Sequence, residues 1–106
     1  MNFRGGMNEV LRQASRMQRK IEETKEAFKK NTFEVKGAND QVTVVVNGAR
    51  DVVSIHVAPE LYNGDDRTLV FEAIAATINA AMTTASKALD AELEKLTGGA
   101  KIPGLY

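Results

Sequence analysis

Val42-Thr43-Val44-Val45-Val46-Asn47-Gly48-Ala49-Arg50-Asp51-Val52-Val53-Ser54-Ile55-His56-Val57 is the stretch on which the fold turns. Two β-branched runs flank an Asn-Gly pair, and β-branched side chains are stiff in a way that suits a pleated strand. Asn47-Gly48 predicts a tight hairpin, because both residue types tolerate the positive φ of a type I′ turn. On the second run Val53, Ile55 and Val57 fall on one face, and Ser54 and His56 on the other. Upstream, Phe33 and Val35 alternate with Glu34 and Lys36 and stop at Gly37-Ala38-Asn39-Asp40, a turn composition. The three segments predict an antiparallel meander.

Outward from the sheet, both flanks are helical in period. Met7, Ala14, Ile21 and Phe28 recur every seven residues, and Val10, Met17 and Thr24 follow three residues after the first three of them. That is an a/d seam, narrower than the stripe of a helix lying flat on a core. The expected helix covers residues 7–30, with Gly5-Gly6 as a flexible lead. Its 24 residues span about 36 Å, more than the ~30 Å width of a small domain. Part of it should overhang its own core, and an overhanging apolar seam calls for a partner, here a second copy. On the other side, Ala58-Pro59-Glu60 stops the sheet and Asn63-Gly64-Asp65-Asp66 forms a loop. Asp65 or Asp66 is placed to cap a second helix from about Arg67 to Leu96. Its apolar stripe is Phe71, Ile74, Ile78, Met82, Ala85, Leu89, Leu93 and Leu96, and alanines crowd its middle. Gly98-Gly99 ends it, and Pro103-Gly104 lies in the tail. The fold class is α+β, an α-β-β-β-α chain forming one domain over residues 1–106, with a three-stranded antiparallel sheet flanked by two long helices.

At 43% hydrophobic and 26% charged, the chain has apolar material for one packed core and is not a disordered polymer. It has no cysteine, which excludes a disulfide framework and any thiolate metal site. The opening residues lack the apolar stretch of a signal peptide, and no unbroken apolar run approaches the ~18 residues of a membrane span. These features point to the cytoplasm. His56 is the sole histidine, which removes most acid–base, triad and metal schemes. Ser15, Ser54 and Ser86 lack a nucleophile-elbow context, and the glycine pairs lack the flanks of a phosphate-binding loop. The expectation is a non-enzyme with no cofactor, no metal and no small-molecule substrate.

Charge is where the chain is uneven. Net charge is zero from 14 basic and 14 acidic residues. Residues 1–30 hold eight basic residues (Arg4, Arg12, Arg16, Arg19, Lys20, Lys25, Lys29, Lys30) against four acidic ones (Glu9, Glu22, Glu23, Glu26), so +4, and the remainder carries −4. Helix geometry puts Arg12, Arg16 and Arg19 on one line opposite the apolar seam, with Arg4 and Lys20 near the same end. Guanidinium groups suit phosphates because their planar fork donates two hydrogen bonds at once. No aromatic interleaving suits single-stranded bases, and no helix-turn-helix or zinc-finger pattern is present. Duplex DNA held through its backbone fits this stripe best. A protein–protein adaptor using the same helices is the other reading, motivated by the zero net charge and by Asp90, Glu92 and Glu94 on the second helix.

Gly5-Gly6-Met7-Asn8, Leu11-Arg12-Gln13-Ala14, Met17-Gln18-Arg19-Lys20, Val42 to Gly48, Ala76-Thr77-Ile78-Asn79-Ala80-Ala81 and Ile102-Pro103-Gly104 resemble, in order and spacing, the YbaB/EbfC nucleoid-associated proteins. The resemblance implies an α-β-β-β-α protomer in a tweezer-like homodimer that binds DNA in the bacterial nucleoid and serves nucleoid organisation or gene expression. It implies DNA contacts from basic residues on the projecting helices, here Arg12, Arg16, Arg19 and Lys20. The second helix departs from the pattern. Where family members often carry adjacent basic residues, Met82-Thr83-Thr84-Ala85-Ser86-Lys87 supplies Lys87 alone.

Overall fold

The computed structural model describes residues 3–98, with side chains from Gly6 onward. Helix α1 covers Phe3–Phe28, strands β1, β2 and β3 cover Thr32–Gly37, Val42–Asn47 and Val52–Val57, a single turn α2 covers Pro59–Tyr62, and helix α3 covers Arg67–Leu96. The predicted order holds, with α2 added. Pro59 starts that turn, where its fixed φ and missing N–H carry no penalty. Gly5-Gly6 is not a lead into α1 but part of it. The Gly99 and Pro103-Gly104 expectations lie outside the described residues.

The sheet is a meander ordered β1-β2-β3, antiparallel throughout, with Val35 opposite Val44 and Val44 opposite Ile55. The middle strand alternates by burial: Val42, Val44 and Val46 are fully buried, while Thr43, Val45 and Asn47 are half-buried. Helix α3 lies across β1 and β2. Thr77, Ala81 and Ala85 are its buried residues over the sheet, and they form the core with the three valines.

The predicted stripe of α3 holds from Ile74 onward: Ala85 and Leu93 are buried, and Ile74, Ile78 and Met82 pack against the core. Phe71, placed on it by hydropathy, is 69% exposed, and Val70 is buried beside it. The small side chains of Ala81 and Ala85 let the helix axis approach the valine sheet closely. Closeness also explains Gly37, where an added Cβ would run into the Thr77 hydroxyl. The Thr77 hydroxyl itself donates to the Ala73 carbonyl at 2.7 Å. By length and composition α3 could also cross a membrane, although Thr77, Asn79, Thr83 and Thr84 break any continuous apolar run.

The β2–β3 connection is not the two-residue turn that Asn47-Gly48 predicts. The Asn47 N–H donates to the Asp51 carbonyl at 3.0 Å, and the Asn47 side-chain oxygen accepts from the N–H groups of Ala49 and Asp51, each at 3.0 Å. The left-handed residue of the loop is Arg50, at φ 68°. Gly48 serves a different need: its N–H donates to Asn31 O at 2.9 Å, and a Cβ there would strike the carbonyl and ring of Phe28. Gly48→Ala is accordingly expected to cost about 1–3 kcal/mol, the range for overpacking, because the obstructing atom is backbone. Urea denaturation should show a lowered midpoint with unchanged slope.

At the other hairpin, Ala38, Asn39 and Asp40 are all left-handed, with φ of 54°, 56° and 66°. Asn and Asp enter that region with little penalty, and Ala does so less readily. The Asp66 side chain caps α3 by accepting from the Leu69 N–H at 3.0 Å, which settles the choice between Asp65 and Asp66.

Beyond the sheet the molecule is long and thin, with extents of 77 × 20 × 16 Å. Helix α1 enters the sheet at its Asn31 end, next to Glu92 of α3. The C-terminal third of α3 and the C-terminal half of α1 thus run side by side in opposite directions. Ile21, Phe28 and Leu93 are buried at that junction, at 1%, 4% and 0% exposure. From Gly6 to Arg16 every α1 residue is exposed. The overhang expected from helix length is present.

Candidate nucleic-acid interface

The 3.6-residue period that buries Ile21 and Phe28 against α3 turns Arg12, Arg16 and Arg19 to the opposite side of α1. All three are exposed, and with Asn8, Leu11 and Ser15 they line one shallow open cleft along the arm. The arm's distance from the sheet leaves this line accessible from several directions. Arg12 is partly engaged: its guanidinium lies 3.8 Å from the Glu9 carboxylate, both groups being largely exposed. Pairs of this kind contribute little and exchange readily. Arg16 and Arg19 have no ion pair among the described residues. Further along, Lys29 is held by Glu26 at 2.9 Å. The hydrogen bond to Glu26 and then its charge keep that ammonium above the usual lysine range.

The structure assembles some of the predicted residues and separates others. Arg12, Arg16 and Arg19 form one group. Lys20 is exposed but points about 70° away round the helix from that line, at 100° per residue. Lys87 is exposed on α3 and is not with them. Glu92 of α3 lies beside Thr24, Ala27 and Phe28 of α1, and Lys87 precedes Glu92 on the side toward the sheet, whereas Arg16 lies farther out along the arm. Arg4 lies within α1, but its side chain is outside the described residues. Sequence reasoning missed Asn8 and Ser15, whose neutral polar side chains share the arginine face. Asn8 lies four residues before Arg12 and Ser15 four before Arg19, and that spacing was the available signal.

Among the described residues no group of three or more histidine, cysteine, aspartate or glutamate side chains is arranged to hold a metal ion. His56 is exposed on β3. The arrangement offers a cationic line on a stiff projecting rod.

Residues 3–100 match the model of the YbaB/EbfC DNA-binding family. The chain belongs to this family. A nucleoid-associated protein of Acetivibrio thermocellus is 37% identical to this YbaB/EbfC protein over 105 residues, covering 98% of this chain and 93% of the relative. One from Myxococcus xanthus is 35% identical over 99 residues, covering 93% and 94%. A crystal structure of an uncharacterized protein from Helicobacter pylori has the same fold, with a TM-score of 0.51 at 18% identity, covering 91% of this chain and 95% of that one.

Proposed function

We propose that the protein is a nucleoid-associated protein of the bacterial cytoplasm that binds duplex DNA as a homodimer. Contact is mainly to the phosphate backbone, through Arg12, Arg16, Arg19 and Lys20, with Arg4 and Lys87 at the margins. The observation that carries this reading is the arginine line on the projecting half of α1, with Arg16 and Arg19 unengaged among the described residues. Family membership and the names of the relatives support DNA as the partner. Phosphate contacts hold a protein on the duplex without reading sequence.

Support for the homodimer comes from the uncovered side of the sheet. Ile55 lies opposite the buried Val44, on the same face, yet it is 44% exposed because α3 covers β1 and β2 and leaves β3 bare. Val52 and Val53 are 41% and 56% exposed, and β3 is also a free edge. An apolar edge strand of six residues invites pairing with another chain, and a two-fold dimer uses the same patch twice. Two protomers double the three or four basic contacts of one.

Ile55→Lys tests both halves of the proposal. The side chain is already at the surface, so the protomer should stay folded by circular dichroism. Sedimentation should show the mass halved at micromolar concentration, and the affinity for a random-sequence duplex should fall at least tenfold with the loss of the second arm. A wild-type protein that sediments as a monomer would refute the dimer. Equal duplex affinity in a monomeric variant would refute binding by two arms.

A further inference from the structure

Three of the six residues that line the arm's cleft carry no charge. Asn8, Leu11 and Ser15 share it with Arg12, Arg16 and Arg19, and all six are exposed. At 100° per residue, Asn8 lies about 10° from the middle of the face that these six define. Arg12 and Ser15 lie about 30° to either side of that middle, and Arg16 and Leu11 about 70°. Arg19 shares the middle line but stands about 16 Å nearer the root of the arm. Toward the tip, the foremost side chain is thus a short neutral amide, with cationic side chains beside and behind it. We infer that the arm lies in the major groove of the duplex and that Asn8 reads an adenine there, with Leu11 against a thymine methyl group. The inference rests on the duplex binding of the proposed function.

Size selects the groove. The arm is exposed all round from Gly6 to Arg16, and a helix with its side chains is about 10–12 Å across. The major groove, about 12 Å wide, admits it, whereas the minor groove at about 6 Å does not. Within the groove, side chains sort by reach. The long arginines at the flanks extend to the phosphates of the walls, where their charge and fork are matched. Asn8, short and foremost, meets base edges instead.

Chemistry then selects the base. An asparagine amide both donates and accepts hydrogen bonds, whereas a phosphate only accepts, so half of the amide would stand idle against the backbone. Adenine presents an N6 donor and an N7 acceptor side by side, and an asparagine satisfies both at once. Leu11 is 57% exposed at the edge of the same cleft. The thymine methyl is the apolar feature of the major groove, so A·T pairs suit both side chains. The Ser15 hydroxyl bonds to any base and adds no selectivity. Glu9 is the sole acidic residue among the first twenty, and it sits 3.8 Å from the Arg12 guanidinium.

The test uses the full chain and a duplex library with a randomised centre. Wild-type protein should enrich an A·T pair at a fixed position. By fluorescence anisotropy the enriched duplex should bind about tenfold more tightly than the same duplex with G·C there. Asn8→Ala, at an exposed site where folding is undisturbed, should bind both duplexes equally and keep the wild-type salt slope. Replacing the adenine by 7-deazaadenine, which lacks the N7 acceptor of the major groove, should remove most of the wild-type preference and leave Asn8→Ala unaffected. Replacing the thymine by uracil should weaken the wild type about fourfold, the worth of one buried methyl group, and leave Leu11→Ala unchanged. A library bound without enrichment, an A·T preference that survives in Asn8→Ala, or a wild type indifferent to 7-deazaadenine would each overturn the inference. Absence of binding to every duplex at low salt would instead sink the proposed function, and the inference with it.

Discussion

Arg16→Glu combined with Arg19→Glu is expected to weaken binding to a random-sequence duplex by on the order of 100-fold or more near 0.1 M salt, with helix content and sedimentation mass unchanged. Both side chains are exposed on the outer face of α1, and neither has an ion pair among the described residues. Their removal therefore disturbs nothing that holds the fold together. In a homodimer the double substitution deletes four cationic contacts and installs four repulsive ones. At about 0.9 per phosphate contact, the log–log salt slope should flatten by roughly 3.6. Arg12→Ala alone should do much less. The Glu9 carboxylate at 3.8 Å already offsets part of that charge, and its release leaves an acidic residue beside the site. The contrast between Arg12 and its two neighbours is a consequence of the structure that charge counting does not contain. A double variant that retains wild-type affinity would place the DNA elsewhere.

Leu93→Ala is the second large effect, and it acts on stability. Leu93 is fully buried where α1 crosses α3, together with Ile21 and Phe28. With the Phe28 ring also 5.4 Å from that of Phe33 on β1, these side chains contribute to the apolar attachment of the arm to the body of the protein. Truncating a buried leucine removes its transfer free energy and leaves a cavity, together about 2–5 kcal/mol. At roughly 4–8 °C per kcal/mol for a domain of this size, the melting temperature should drop by at least about 8 °C at fixed protein concentration. Ile21→Ala should cost a similar amount. The double variant should cost less than the sum, because the second truncation enlarges a space the first has already opened. Additive losses would show that the two side chains do not share one packed junction. A loss below about 1 kcal/mol would show that the arm is not anchored there.

Much of this architecture is legible in the chain. The valine run of β2 and an aspartate at 65 or 66 announce a strand and the start of a long helix, because each signal has one local cause. The overhang follows from α1's length alone. What stayed hidden depended on packing between elements. Hydropathy puts Phe71 on the buried stripe of α3, yet Phe71 is exposed, while Val70, Thr77 and Ala81, outside that stripe, are buried. Asn47-Gly48 carries the composition of a type I′ turn, but Gly48 is required by the Phe28 carbonyl above it, and the left-handed position falls on Arg50.

The candidate site divides the same way. Period alone places Arg12, Arg16 and Arg19 on one face. The distance of Lys87 from them depends on how α1 and α3 pass each other, which no spacing within either helix encodes.

The central claim is that exposed arginines on a projecting arm hold duplex DNA through its phosphates. Fluorescence anisotropy of a labelled random-sequence duplex, titrated at salt concentrations from about 50 to 200 mM, tests it most directly. With six to eight phosphates neutralised per dimer, the log–log slope of affinity against salt should lie between about −5 and −7. A slope shallower than about −2, or no binding at the lowest salt, would contradict the account and point to a protein partner for the same helices.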